Sequence, residues 1–207
     1  MADSEVIQSP DTLRAERLPP RQVLTRKWPV LHAGEVPEFD SHTWDFTVFP
    51  IPLVDRIQRF TWVEFSALPR VRVFADMHCV TRWSKLDNLW EGVATRELRN
   101  HCTIAPEAKF AMIHCEYGYT TNLPIDDFFA EDALFAMKHD GQDLPLDHGY
   151  PLRLVIPKLY AWKSAKWVRG IEFMTDDRPG YWERPENGQY HMRGNPWTES
   201  RFSGESS

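Results

Sequence analysis

Each cysteine in this chain directly follows a histidine: His78-Cys79, His101-Cys102 and His114-Cys115. Histidine and cysteine are preferred ligands of zinc, so a metal centre is the first chemistry to weigh. The spacing does not suit a structural zinc site, because no Cys-x-x-Cys and no His-x-x-x-His occurs. Where such a pair lies on a strand, its two side chains point to opposite faces, and each pair then offers one ligand to one site. A free cysteine is otherwise a small buried apolar residue, and that is the reading for Cys102. A zinc-binding protein stays open as an alternative at this level. So does a Cys-His hydrolase with Cys79 as nucleophile and His78, His114 or His148 as base.

Cys79 differs from the other two in its surroundings, Ala75-Asp76-Met77-His78-Cys79-Val80-Thr81-Arg82-Trp83-Ser84-Lys85. It follows the alternating run Val71–Ala75, a predicted strand, and polar loops after strand ends commonly carry function. Arg82 and Lys85 bring positive charge that favours a thiolate. A thiolate is either a nucleophile or a soft-metal ligand. Basic residues also concentrate between Arg153 and Arg169.

The elements that position these residues follow from pattern and composition. The chain has 207 residues, 42% hydrophobic, 26% charged and 13% aromatic, which fits one globular domain and argues against disorder. The net charge of −6 excludes a broad basic footprint for nucleic acid. No apolar run approaches the roughly 18 residues of a membrane span. The polar start, MADSEVIQSPDTLRAERLPPRQ, lacks a signal-peptide core, so a cytoplasmic location is expected. Three cysteines make no disulfide framework. Residues 1–24 read as a mobile or extended arm, 25–199 as the domain and 200–207 as a flexible tail. Strands are predicted over Thr43–Val48, Val71–Ala75, Lys109–Cys115, Leu152–Ile156 and Trp167–Met174. Thr61–Leu68 reads as a short helix, with Thr61 as N-cap and Glu64 at capping-box spacing. Pro124–Phe129 and the segment to Met137 read as a helix followed by a strand. With 16 prolines among short strands, the expected class is α+β, mixed strands with peripheral helices.

Two stretches then resemble a known family. One is His78-Cys79-Val80-Thr81-Arg82-Trp83-Ser84 followed by Trp90-Glu91-Gly92-Val93. The other runs from His148-Gly149-Tyr150-Pro151-Leu152-Arg153 through Pro157 to Tyr160-Ala161-Trp162-Lys163-Ser164-Ala165-Lys166-Trp167. Together they resemble the molybdopterin-binding domain of the sulfite oxidase family, in its small stand-alone prokaryotic form, over about Arg26 to Trp197. The resemblance implies the sulfite oxidase-type fold and a molybdenum-molybdopterin cofactor, with Cys79 as the metal ligand. It implies cofactor contacts at His32, Cys115, His148, Arg153, Ser164, Ala165 and Lys166, the last with Arg153 at the terminal phosphate. It places Tyr119 and Arg82 on the substrate side of the metal, in a rim with Trp83, Tyr117 and Trp90.

The departures bear on the reaction. Sulfite oxidases carry Cys-x-Gly-Asn-Arg-Arg after the strand, and Cys79-Val80-Thr81-Arg82-Trp83-Ser84 keeps a single arginine. That favours reduction of a small S- or N-oxide over oxidation of sulfite, which is the alternative. No haem-binding His-Pro-Gly-Gly segment occurs, so a separate electron-transfer protein is expected. A non-catalytic binding module that retains the fold is the rival from another class, and the retained Cys79, Arg153 and Lys166 argue against it.

Overall fold

The structure is a computed structural model that describes residues 6–187 and 193–199; residues 1–5 of the expected arm and the expected tail, 200–207, lie outside it. In chain order the strands are β1 (Val6–Gln8), β2 (Val23–Leu24), β3 (Asp45–Phe49), β4 (Gln58–Thr61), β5 (Val71–His78) and β6 (Trp83–Ala94). They continue with β7 (Phe110–Cys115), β8 (Thr120–Pro124), β9 (Leu134–His139), β10 (Gln142–Asp143), β11 (Arg153–Val155) and β12 (Val168–Met174). Helices α1 (Trp62–Ser66) and α2 (Ile125–Phe128) are single turns at the periphery. The mixed class expected from the sequence is the one observed.

A seven-stranded sheet runs β1-β5-β6-β9-β10, with β11 beside β9 and β2 beside β6; a five-stranded sheet runs β4-β3-β12-β7-β8. Side-chain alternation explains how they pack. Along β9, Phe135 and Met137 join the large core between the sheets, while Leu134 and Ala136 join a second core on the other face with Val73, Ala75 and Trp90. A strand buried on both faces loses the polar alternation of a half-buried one. β6 is the longest strand, and its charged and polar positions hide it from a pattern search. It crosses β9 at a bulge between Glu91 and Gly92, where a Cβ on Gly92 would lie 1.9 Å from the Phe135 carbonyl oxygen, so only glycine fits. The α1 cap forms as the sequence predicts: Thr61 Oγ1 accepts from the Glu64 amide and the Glu64 carboxylate accepts from the Thr61 amide.

The expected arm is extended, but it is not free. From Val6 onward β1 pairs in parallel with β5, and β2 pairs in parallel with β6 at Trp83 and Ser84. Arg17 grips both carboxylate oxygens of the buried Asp76, at 2.9 and 2.6 Å. The mixed charges that make this segment look like a solvated arm include the one that anchors it.

Candidate functional site

β5 runs on into Cys79, and Val80-Thr81-Arg82 turn the chain back into β6. The Cys79 amide donates to the Trp83 carbonyl at 2.8 Å and the Arg82 amide to the Cys79 carbonyl at 3.0 Å. Arg82 takes the left-handed backbone conformation, φ 73°, that closes a three-residue hairpin loop. The turn leaves Cys79 buried at the strand end, with Sγ 3.1 Å from Thr81 Oγ1. Burial pushes the Cys79 thiol up, while the Thr81 hydrogen bonds and the Arg153 charge act the other way. The cation that reaches Cys79 is thus Arg153, from a strand far along the chain. Lys85, expected to help, is committed to Asn88 Oδ1 at 2.7 Å.

The hairpin is held from the N-terminal side. His78 is fully buried, and its Nδ1 lies 2.8 Å from Ser84 Oγ. Ser84 Oγ donates to Gln22 Oε1 at 3.2 Å, so Nδ1 carries the proton and His78 donates to it. Gln22 Nε2 in turn donates to the Cys79 carbonyl at 3.0 Å. Burial holds the His78 imidazole neutral, with its pKa below the ordinary value. This accounts for the histidine of the His78-Cys79 pair, and among the described residues Cys79 Sγ bonds Thr81 and makes no Cys-His dyad.

Opposite the hairpin, the turn Leu146–His148 leads through Gly149 to β11. Arg153 is 5% exposed, donates to the His148 carbonyl at 3.0 Å, and has a buried Nε without a partner. Among the described residues no carboxylate pairs with it. Burial depresses its pKa to about 10. Lys166 donates to the Asp147 carbonyl at 2.7 Å, and burial first, then the Arg153 charge, lowers its pKa to about 7. Gly149, at φ 114°, lets them converge: a Cβ there would lie 3.1 Å from both Arg153 Cβ and Lys166 Cγ. Burying a cation without a counter-charge is costly. Two such cations beside a glycine gap fit a bound anionic group, and the terminal phosphate of a pterin cofactor is of that kind.

The rest of the wall is aromatic. Trp28 stacks on His148 at a centroid distance of 3.7 Å and stands edge-on to Trp90 at 5.4 Å. His148 is held neutral, its pKa brought to about 4 by burial and then by Arg153. Trp83 Nε1 and Trp162 Nε1 are buried donors without partners among the described residues. Tyr119 donates its hydroxyl proton to the Trp162 carbonyl at 2.7 Å, and burial drives its pKa well above the usual phenol value. The Ser164-Ala165 turn is fixed from beneath: Ser164 Oγ accepts from the Ile156 amide, and the Ala165 carbonyl accepts from the Leu154 amide. The buried Lys163 anchors it by donating to the Asn122 carbonyl at 2.6 Å, to Asn122 Oδ1 at 2.7 Å and to the Glu183 carboxylate.

One cavity of about 310 Å³ gathers Cys79, Tyr119, His32, His148, Arg153, Ser164, Ala165 and Lys166. Two expected site residues are not part of its wall. Cys115 packs into the core on β7, and the half-buried Arg82 closes the hairpin loop without lining the cavity. Trp90, expected at a substrate rim, is fully buried behind Trp28. Trp28, Thr81, Trp162 and Trp182 line the cavity and were not singled out from sequence. Thr81 and Trp162 stand within the quoted motifs and Trp28 and Trp182 outside them, and isolated tryptophans in coil carry no periodicity that would mark them. Among the described residues no group of three or more His, Cys, Asp or Glu gathers to hold a metal, so the three His-Cys pairs do not converge. No helix among them is long and apolar enough to cross a membrane.

Comparison with known proteins fits this geometry. Residues 33–182 match the family model described as the oxidoreductase molybdopterin binding domain. The uncharacterized oxidoreductase YuiH of Bacillus subtilis is 47% identical over 188 residues, covering 90% of this chain and 92% of that one. A protein of Azospira oryzae, provisionally named a protein-methionine-sulfoxide reductase subunit, is 29% identical, covering 79% of this chain and 63% of that one. Among solved structures, the sulfane dehydrogenase SoxCD of Paracoccus pantotrophus superposes with a TM-score of 0.66 at 19% identity, over 76% of this chain and 44% of that one, a likeness of fold.

Proposed function

The chain belongs to the oxidoreductase molybdopterin-binding domain family, as a molybdopterin-dependent oxidoreductase of the sulfite oxidase type, and from that premise we propose that it reduces a small neutral S- or N-oxide by oxygen-atom transfer. When bound, the cofactor supplies two-electron chemistry at molybdenum. The residues of this chain supply placement and charge. Cys79 gives the metal its protein thiolate; Arg153 and Lys166 hold the terminal phosphate across Gly149; His148, braced by Trp28, and the Ser164-Ala165 turn wall the pterin. His32, at the mouth beside Trp167, completes the cradle from the N-terminal side.

One observation carries the choice of substrate. Among the described residues the basic Lys and Arg side chains of the cavity wall are Arg153 and Lys166, and on this reading both serve the phosphate. The remaining charged wall residue, Glu116, is paired with Arg169. A sulfite dianion would want further fixed positive charge. What remains of the described wall is largely aromatic and uncharged, from Trp28, Trp83, Tyr119, Trp162 and Trp182 among others. Such a wall suits a small neutral oxide better than a dianion. Tyr119, whose proton already goes to Trp162, meets a substrate as an acceptor. The name of the Azospira relative points the same way, and its designation as a subunit supports delivery of electrons by a separate redox protein. Three free, buried cysteines support action in the reducing cytoplasm.

The test is a dithionite-reduced viologen assay of the cofactor-loaded protein across sulfoxides, N-oxides and nitrate, beside a ferricyanide assay with sulfite. Turnover of a neutral oxide is expected. Robust sulfite oxidation without oxide reduction would overturn the substrate assignment.

A further inference from the structure

Thr81 stands two residues beyond Cys79 in the hairpin loop, exposed to solvent on one side and facing the cavity on the other. Its Oγ1 is 3.1 Å from Cys79 Sγ, and its backbone amide also lowers the thiol's pKa. In a free thiol either atom can supply the proton. A metal-bound thiolate has none, so the hydrogen bond then has one direction, from the Thr81 hydroxyl to sulfur. We propose that Thr81 is a positioning residue that tunes the metal centre: its hydroxyl bonds the Cys79 sulfur and draws electron density away from the metal.

The physical consequence is definite. A hydrogen bond onto a ligating sulfur weakens its donation and favours the reduced metal, raising the reduction potential. The hairpin makes this bond specific. The turn is pinned by the Gln22 donation to the Cys79 carbonyl and by the Cys79–Trp83 and Arg82–Cys79 backbone bonds, so the hydroxyl is held over sulfur by the loop's own geometry. Thr81 is exposed and bonds no other described side chain, so its removal leaves the core untouched.

The inference rests on Cys79 being the metal ligand, and the experiment separates the two. The molybdenum content of Cys79→Ser comes first, with molybdenum-edge X-ray absorption of the loaded wild type and of any metal the variant retains. If the serine variant keeps full molybdenum with the same number of sulfur neighbours, the ligand assignment itself falls, and this inference with it. If the metal or one sulfur neighbour is lost, an EPR-monitored redox titration compares wild type, Thr81→Val and Thr81→Ser. Thr81→Val is expected to shift the balance of oxidised to one-electron-reduced metal roughly tenfold toward oxidised at fixed solution potential, about 59 mV for one electron. Thr81→Ser, which keeps the hydroxyl, is expected to stay within about twofold of wild type on the same scale. An unchanged potential in Thr81→Val at full molybdenum content would overturn the proposal. So would a change in KM alone, which would make Thr81 a substrate contact.

Discussion

The indole of Trp28 lies flat on the imidazole of His148, ring planes within 16° of parallel and centroids 3.7 Å apart. The contact joins an N-terminal coil to the turn that leads into β11, whose first residue, Arg153, lies 5.6 Å from the Trp28 ring. An aromatic pair of this kind contributes about 0.5–1.5 kcal/mol beyond its buried area. Trp28→Ala is therefore expected to weaken cofactor retention by about threefold to tenfold, read as molybdenum per protein after gel filtration. Trp28→Phe should keep most of it. Equal retention in the alanine variant would show that His148 needs no brace.

Arg153 makes the opposite prediction for the two forms of the protein. Without cofactor it is a buried cation lacking a counter-charge, and an apolar residue of similar volume in such a place is often neutral or stabilising. Arg153→Met is expected to leave the melting temperature of the cofactor-free protein unchanged or raised. In the same variant, loss of a charge-assisted bond of about 1.5–3 kcal/mol should cut cofactor affinity by roughly one to two decades. A destabilised apoprotein with normal cofactor content would make the guanidinium a structural group.

Lys166 gives a pH signature. Its folded pKa, lowered to about 7 by burial and by Arg153, lies below the ordinary value of 10.5. Between those two values the unfolded chain holds a proton that the folded one has shed, so stability from this group rises with pH. Below about pH 7 both states are protonated, and the contribution is flat at its least favourable level. The melting-temperature difference between wild-type apoprotein and Lys166→Met should therefore move in favour of wild type from pH 7 to pH 10. Bound cofactor phosphate should flatten that slope. A difference independent of pH would mean that the ammonium is not desolvated.

The cysteines should separate cleanly. Cys79→Ser is expected to abolish molybdenum coordination and activity. Cys102→Ser, in the core with Sγ 3.6 Å from the Leu98 carbonyl, should leave both nearly intact. Cys115→Ser should lower stability and spare the metal, because that side chain packs between the sheets. Metal content and thermal unfolding of the three variants decide this, and parallel loss of metal in all three would point to one shared site.

Much of this was legible because local patterns were strong. The alternation of Val71–Ala75 and of the apolar β7, the capping box at Thr61 and Glu64, and the motif around Cys79 each need only neighbouring residues to read. What was missed depends on partners distant in sequence. β6 reads as polar because its inward residues are tryptophan, asparagine and glycine, whose fit is set by β5 and β9. The charge beside Cys79 looked as though it came from Arg82 and Lys85, its sequence neighbours, whereas the fold brings Arg153 from 74 residues away. Lys163 looked like one more surface cation in a basic run, and burial against Glu183 and Asn122 makes it an anchor.

The segment ahead of the family's matched region holds parts of the site in register. The match begins at residue 33. Arg17 on Asp76, Gln22 on the Cys79 carbonyl and Trp28 on His148 all precede it. A truncation at that boundary would keep Cys79, Arg153 and Lys166 yet remove the clasp that sets their mutual positions. The contacts that set the site therefore extend beyond the segment the family model matches, and the likeness to YuiH, over 90% of this chain, extends beyond it too. From Val6 onward the described part of that segment is paired into the sheet that carries Cys79, so it braces the cavity from the side opposite Arg153.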